Sequence, residues 1–176
     1  MRSVTVKVAE IVEPRTSAVA GDSYVPATVT WIAPEFVGLP LLVGIEDRVD
    51  GYEGGRLTVK LEPLTGEIAG AVVVNAPKAG PGPGFVRPAE LPTVAGGIRV
   101  DRTPWQLNPD LVATLEVIGE TGPLTLFEDD EHVFFGFSES VPVKKVMAGG
   151  AGFTVDRDEV LTGLVIERGP TGFRLS

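Results

Sequence analysis

The sequence predicts an all-β protein, a sandwich or barrel built from two related β-halves, and three observations carry that reading. Short runs rich in Val, Ile, Thr and Phe recur between Gly, Pro, Asn and Asp clusters at regular spacing. No stretch offers a helical period without an equally good strand period. One unit, a strand, an acidic turn and a strand, occurs twice, at Leu57–Val74 and at Gly152–Ile166. Each copy is followed by a proline seven residues beyond its second glycine, Pro77 and Pro170.

The repeat extends upstream. Thr58 falls opposite Thr154, Gly70 opposite Gly163, Gly44 opposite Gly136 and Val6 opposite Val100, at offsets between 92 and 96. Two copies are too few for a solenoid. The expected arrangement is therefore two halves, residues 1–77 and 95–176, packed about a pseudo-twofold axis and joined by residues 78–94.

Taken in order, Val4, Val6 and Val8 alternate with polar neighbours and predict a half-buried strand over residues 3–12. Pro14 ends it, and Arg15 to Asp22 reads as a loop. Ala27 to Ile32 is β-branched and aromatic between Pro26 and Pro34, which predicts a strand. Leu41 to Glu46 is apolar at consecutive positions, so both faces of that strand should be covered. Asp47 to Gly55 reads as an acidic, glycine-rich turn before the first hairpin copy. Residues 76–92, rich in Gly and Pro, form the connection, with Phe85 and Leu91 available to pin it to the surface.

The second half opens with a strand at Ile98–Asp101. Asn108-Pro109-Asp110 is a helix-start signal, but Leu111, Ala113, Leu115 and Val117 alternate, and Val112 and Thr114 favour a strand. Leu124–Glu128 is a short strand, Asp129 to Glu131 an acidic turn, and Val133–Phe137 the most buried strand of the half. Val141–Met147 leads to the second hairpin copy. The run from His132 to Glu167, carried by Val133–Glu139, Phe153–Asp156 and Leu161–Ile166, resembles a small, widespread bacterial β-domain of unknown function. That resemblance covers about one fifth of the chain. It implies a compact β-unit that pairs with another copy, and no activity.

Net charge is −9, from 24 acidic and 15 basic residues. So acidic a chain repels phosphate backbones and favours a basic protein partner, chiefly by steering encounter. Cysteine is absent, which removes disulfides, thiol nucleophiles and thiolate metal ligands. Nothing approaches the roughly 18 apolar residues of a membrane helix, and the first residues show no apolar signal core. The expected location is the cytoplasm. Arg outnumbers Lys, and Val, Gly, Pro and Ala abound, a usage that suggests a high-GC bacterial source.

Chemistry-bearing motifs are few. His132, the only histidine, follows Asp129, Asp130 and Glu131 and reads as an exposed turn residue. Asp156, Asp158 and Glu159 lack the spacing of a calcium loop, and neither glycine run opens a helix as a phosphate cradle does. No cofactor or metal is expected. Trp31 reads as core, whereas Trp105 lies among prolines and is a binding candidate. The partner-binding candidates are Asp47, Asp50, Glu53, Trp105, Asp129, Asp130 and Glu131. The leading functional expectation is a binding protein, immunity- or inhibitor-like, whose acidic face captures a basic partner. The alternatives are a β-barrel that binds a small apolar ligand, as a cofactor-free cyclase or isomerase, and a structural subunit that self-assembles as a homo-oligomer.

Overall fold

β-Branched alternation produces strands along most of the chain. The computed structural model describes residues 6–32, 40–49, 52–78, 80–103 and 117–175. Its first part contains β1 (Val8–Val12), β2 (Thr16–Ala20), β3 (Ala27–Ile32), β4 (Leu41–Val49), β5 (Tyr52–Leu61) and β6 (Ile68–Asn75). A 3-10 turn at Pro88–Glu90 leads to β7 (Thr93–Ala95) and β8 (Gly97–Val100). Then come β9 (Val117–Thr121), β10 (Thr125–Glu128), β11 (His132–Gly136), β12 (Pro142–Ala148), β13 (Ala151–Asp156) and β14 (Leu161–Glu167), closed by a single helical turn, α1 (Arg168–Thr171).

Two six-stranded sheets form, in the orders β2-β3-β6-β5-β4-β9 and β10-β11-β14-β13-β12-β7, and β1 pairs separately with β8. Their facing sides share one core, with Val29, Ile45, Val59, Phe135, Phe153 and Leu164 almost wholly buried. Trp31 joins the layers. Its ring lies 5.7 Å from that of Phe153, and its buried Nε1–H donates to the Ala148 carbonyl at 3.1 Å. Both sheets end in edge strands, so among the described residues neither closes into a barrel. Of the two arrangements expected from the sequence, sandwich or barrel, no closed barrel is found among the described residues, where β9 and β7 each end a sheet.

The first five strands of each sheet follow one order, β2-β3-β6-β5-β4 against β10-β11-β14-β13-β12. Gly70 pairs with Thr30 and Lys60, and Gly163 pairs with Gly136 and Thr154, so the two glycines hold the same ladder position. A bulge follows each of them in the ladder, between Lys60 and Leu61 and between Thr154 and Val155. Gly44 and Gly136 do not correspond. Gly44 lies on β4 and Gly136 on β11, which is the counterpart of β3. Thr58 likewise sits two ladder positions from the counterpart of Thr154, which is Lys60. Of the four sequence offsets, the one at Gly70 and Gly163 therefore joins equivalent ladder positions, whereas those at Gly44 and Gly136 and at Thr58 and Thr154 do not.

Other sequence expectations need correction. Arg15 to Asp22 is not all loop, since Thr16–Ala20 forms the edge strand β2; its small residues half-bury only every second side chain, which weakens the pattern. Asp47 to Gly55 is mostly strand, because β4 runs to Val49 and β5 starts at Tyr52. The connection carries strand β7 within it, held parallel to β12. The alternative of helix or strand at residues 108–116 lies outside the described residues.

Phe135, 1% exposed, is the largest side chain β11 gives to the shared core. Its replacement by Ala should cost about 3–5 kcal/mol. Denaturant unfolding checks this, and a midpoint matching the parent protein would place Phe135 outside the core.

Candidate functional site

The outer face of the second sheet is apolar where an uncovered sheet would be polar. Phe134, Met147 and Val165 form a cluster there, separate from the main core, with Phe85 and Phe127 packed on it. The cover comes from the connection. The Phe85 ring lies 4.8 Å from Phe127 and 5.9 Å from Phe134, and the Arg87 guanidinium sits 5.9 Å above Phe127. Gly136 and Gly163 make room beneath, because a Cβ at either would run into the Phe134 ring. Phe85 and Leu91 therefore do pin the connection; Leu91 is buried and Phe85 half-buried.

Between this cover and the sheet lies a cleft of about 70 Å³. Phe85, Phe134, Pro123 and Pro142 give it apolar walls, and Thr125, Ser138, Glu139, Ser140 and Thr162 supply polar groups. Behind it Asp156 is buried. One oxygen of Asp156 accepts the N–H groups of Asp158 and Val160, at 2.9 and 3.0 Å, and the other accepts the Ser140 hydroxyl at 2.7 Å. With that proton committed, the Ser140 oxygen offers only lone pairs elsewhere. Glu139 is exposed and makes no side-chain hydrogen bond or ion pair among the described residues. Glu139 thus lines the cleft, and the buried carboxylate of Asp156 is tied to Ser140 of the same lining.

The residues nominated from sequence are placed differently. Asp47 accepts the Leu124 N–H at 3.0 Å and so fixes the entry to β10. Asp129 accepts the N–H groups of Glu131 and His132 at 2.9 and 2.6 Å. Burial opposes its ionisation, but those two donors, with His132 and Arg87 nearby, hold its carboxyl below the usual value. Asp130 and Glu131 are exposed. Because Asp47 binds at the start of β10 and Asp129 follows its end, the two acid groups are separated by the length of that strand. Asp50 and Trp105 lie outside the described residues, as does the side chain of Glu53.

His132 is not an exposed turn residue. It is the first residue of β11, paired with Glu167 of β14, and only 5% exposed. Its Nδ1 is 3.7 Å from Asp129 Oδ1 and has no hydrogen bond. Sequence reasoning missed the cleft itself: Glu139 and Ser140 carry no motif, and the only signal was Phe85 among the glycines and prolines. Two other concavities are present among the described residues. A void of about 20 Å³ lies between the sheets beside Trp31 and Phe153. An open polar groove of about 370 Å³ runs past Arg99 and Arg102, where Arg99 already pairs with Glu10 at 3.2 Å. No group of three or more His, Asp or Glu side chains is poised to hold a metal ion among the described residues.

No family model matches this chain, and no curated protein sequence does.

The lowered Asp129 carboxyl makes stability depend on acid. Its contribution is full above the unfolded carboxyl value, near 3.9, and is lost as pH falls through the lower folded value. Asp129→Asn keeps an acceptor oxygen but no charge. It should melt below the parent protein at pH 7, with the gap closing as pH drops below about 4; a gap that is constant with pH would contradict this.

Proposed function

We propose that this chain is a non-catalytic binding protein that recognises a basic protein partner. The observation that carries the reading is the filled interior. The void between the sheets is about 20 Å³, whereas sites for small ligands usually span roughly 300–1,000 Å³. An apolar molecule therefore has no room between the layers, which counts against the ligand-binding alternative. The open groove is large enough but polar, and among its charged groups Arg99 already pairs with Glu10. His132, the one imidazole, stands at a strand entrance with no hydroxyl bonded to it, which supports a role other than general base.

Charge supports the class of partner. The chain carries −9, and Asp130 and Glu131 project from the β10–β11 turn into solvent. Such groups raise association rates with a cationic surface without organising the fold. The equivalent strand order of the two sheets supports descent of the halves from one unit, which fits a scaffold better than a dedicated active site.

Affinity capture from an extract of the source organism, followed by kinetics on the captured protein, tests the reading. The captured partner should be basic, and its association rate should fall at least tenfold between low and high salt. Asp130→Lys combined with Glu131→Lys should slow association while shifting the melting temperature by no more than about two degrees, as exposed substitutions do. A rate indifferent to both salt and charge reversal would remove the electrostatic basis of the proposal.

A further inference from the structure

Among the described residues, the cleft beside Phe85 differs from the inter-sheet void and the polar groove in joining apolar walls to an unpaired acidic residue. Its volume of about 70 Å³ is far below that of a small-molecule site, yet suits a single side chain. Phe85, Phe134, Pro123 and Pro142 would accept an aliphatic stem. At the polar side stand Glu139, whose carboxylate has no partner among the described residues, and Ser140, whose proton is already given to Asp156. Asp156 itself is 4% exposed, and all its bonds come from N–H and O–H donors rather than from a cation. Its negative charge therefore acts on the cleft without a neutralising neighbour in its own bonding shell, in surroundings where screening is weak.

We infer that this cleft seats a lysine or arginine side chain presented by the basic partner. The inference rests on the binding-protein reading and names the place where that partner is gripped. The stem lies between the Phe85 and Phe134 rings and the two prolines, as long cationic side chains lie on apolar surfaces with their heads in polar surroundings. The head donates to Glu139 and to the lone pairs of Ser140, charge-assisted bonds stronger than neutral ones. The chain already uses related chemistry on the far side of the same aromatic cluster, where Arg87 covers Phe127. Val141 and Val143, 53% and 45% exposed at the adjoining start of β12, give the partner's neighbouring residues an apolar shelf. A second copy of the chain fits this site poorly, since both surfaces would carry the same net negative charge.

Amide chemical shifts of the full chain, followed during titration with acetyl-Gly-Gly-Lys-Gly-Gly-amide, test the inference. Shifts should concentrate at Gly84, Phe85 and residues 138–141. The same peptide with norleucine in place of lysine should bind about tenfold more weakly, and one with glutamate should not bind. Glu139→Gln, at an exposed position, should weaken the lysine peptide several-fold and leave the melting temperature unchanged. Equal binding of the lysine and norleucine peptides, or no shift at millimolar peptide, overturns the assignment. Shifts centred on Asp130 and Glu131 overturn it as well, but leave the binding-protein reading standing, which the capture experiment judges separately.

Discussion

The pairing of β1 with β8 is the constraint on which the rest of this structure depends. Those strands lie antiparallel, with Val8 beside Val100, and each also completes the hairpin of the other half. Val8 N–H donates to the Glu159 carbonyl and Val100 N–H to the Gly66 carbonyl, at 2.8 and 2.9 Å. Lys7 bridges Val160, and Arg99 bridges Glu67, in the same sense. Neither half can satisfy the backbone of its own hairpin turn alone, and an unsatisfied buried N–H or C=O costs free energy comparable to a lost hydrogen bond. Strand β9, contributed by the second half to the first sheet, adds to the interlock. A division at the Gly/Pro-rich connection would therefore leave two pieces with open backbone.

That exchange also explains why acids are buried at the hairpins. Glu62 and Asp156 occupy the same position, one residue past the bulge, and their backbone N–H groups meet the carbonyls of Glu67 and Val160 respectively. Each carboxylate then accepts turn N–H groups, Leu64 and Thr65 for Glu62 and Asp158 and Val160 for Asp156. The incoming strand covers the turn, so the side chain is desolvated, and only those donors make the burial tolerable. The halves diverge one bridge further on. There Glu67 is tied by Arg15 at 3.2 Å, where the second half has Val160.

What the sequence reveals follows from which forces are local. Strands β3, β11, β13 and β14 were legible because Val, Ile, Phe and Trp at successive positions leave no other way to bury their apolar area. The glycine pair Gly70 and Gly163 was legible because a close packing constraint keeps glycine at one ladder position. Strand β2 was hidden, since Thr16, Ser17 and Ala18 have little apolar area and gain a strand conformation only from β3. The burial of His132 was hidden for the same kind of reason: its place in the sheet depends on the β11–β14 ladder, whose partner Glu167 is distant in sequence. The cleft depends on longer separations still, with Phe85, Phe134 and Ser140 meeting only when the connection folds back across the finished sheet.

The acidic composition has two separate meanings that a charge count cannot tell apart. Asp22, Asp47, Glu62, Asp101, Asp129 and Asp156 each accept backbone N–H groups at turns or strand entrances. These carboxylates replace donors' partners that a tight turn cannot supply, and their charge is incidental to that work. Asp130, Glu131 and Glu139 do not perform it; they lie on the surface beside residues that do. Asp129 builds the turn from which Asp130 and Glu131 project, and Asp156 fixes the hydroxyl beside Glu139. Turn-forming acids thus position the exposed ones. An exposed acidic pattern then requires no element beyond those that close the hairpins, which is how a fold with a well-filled interior can still carry a specific charge pattern.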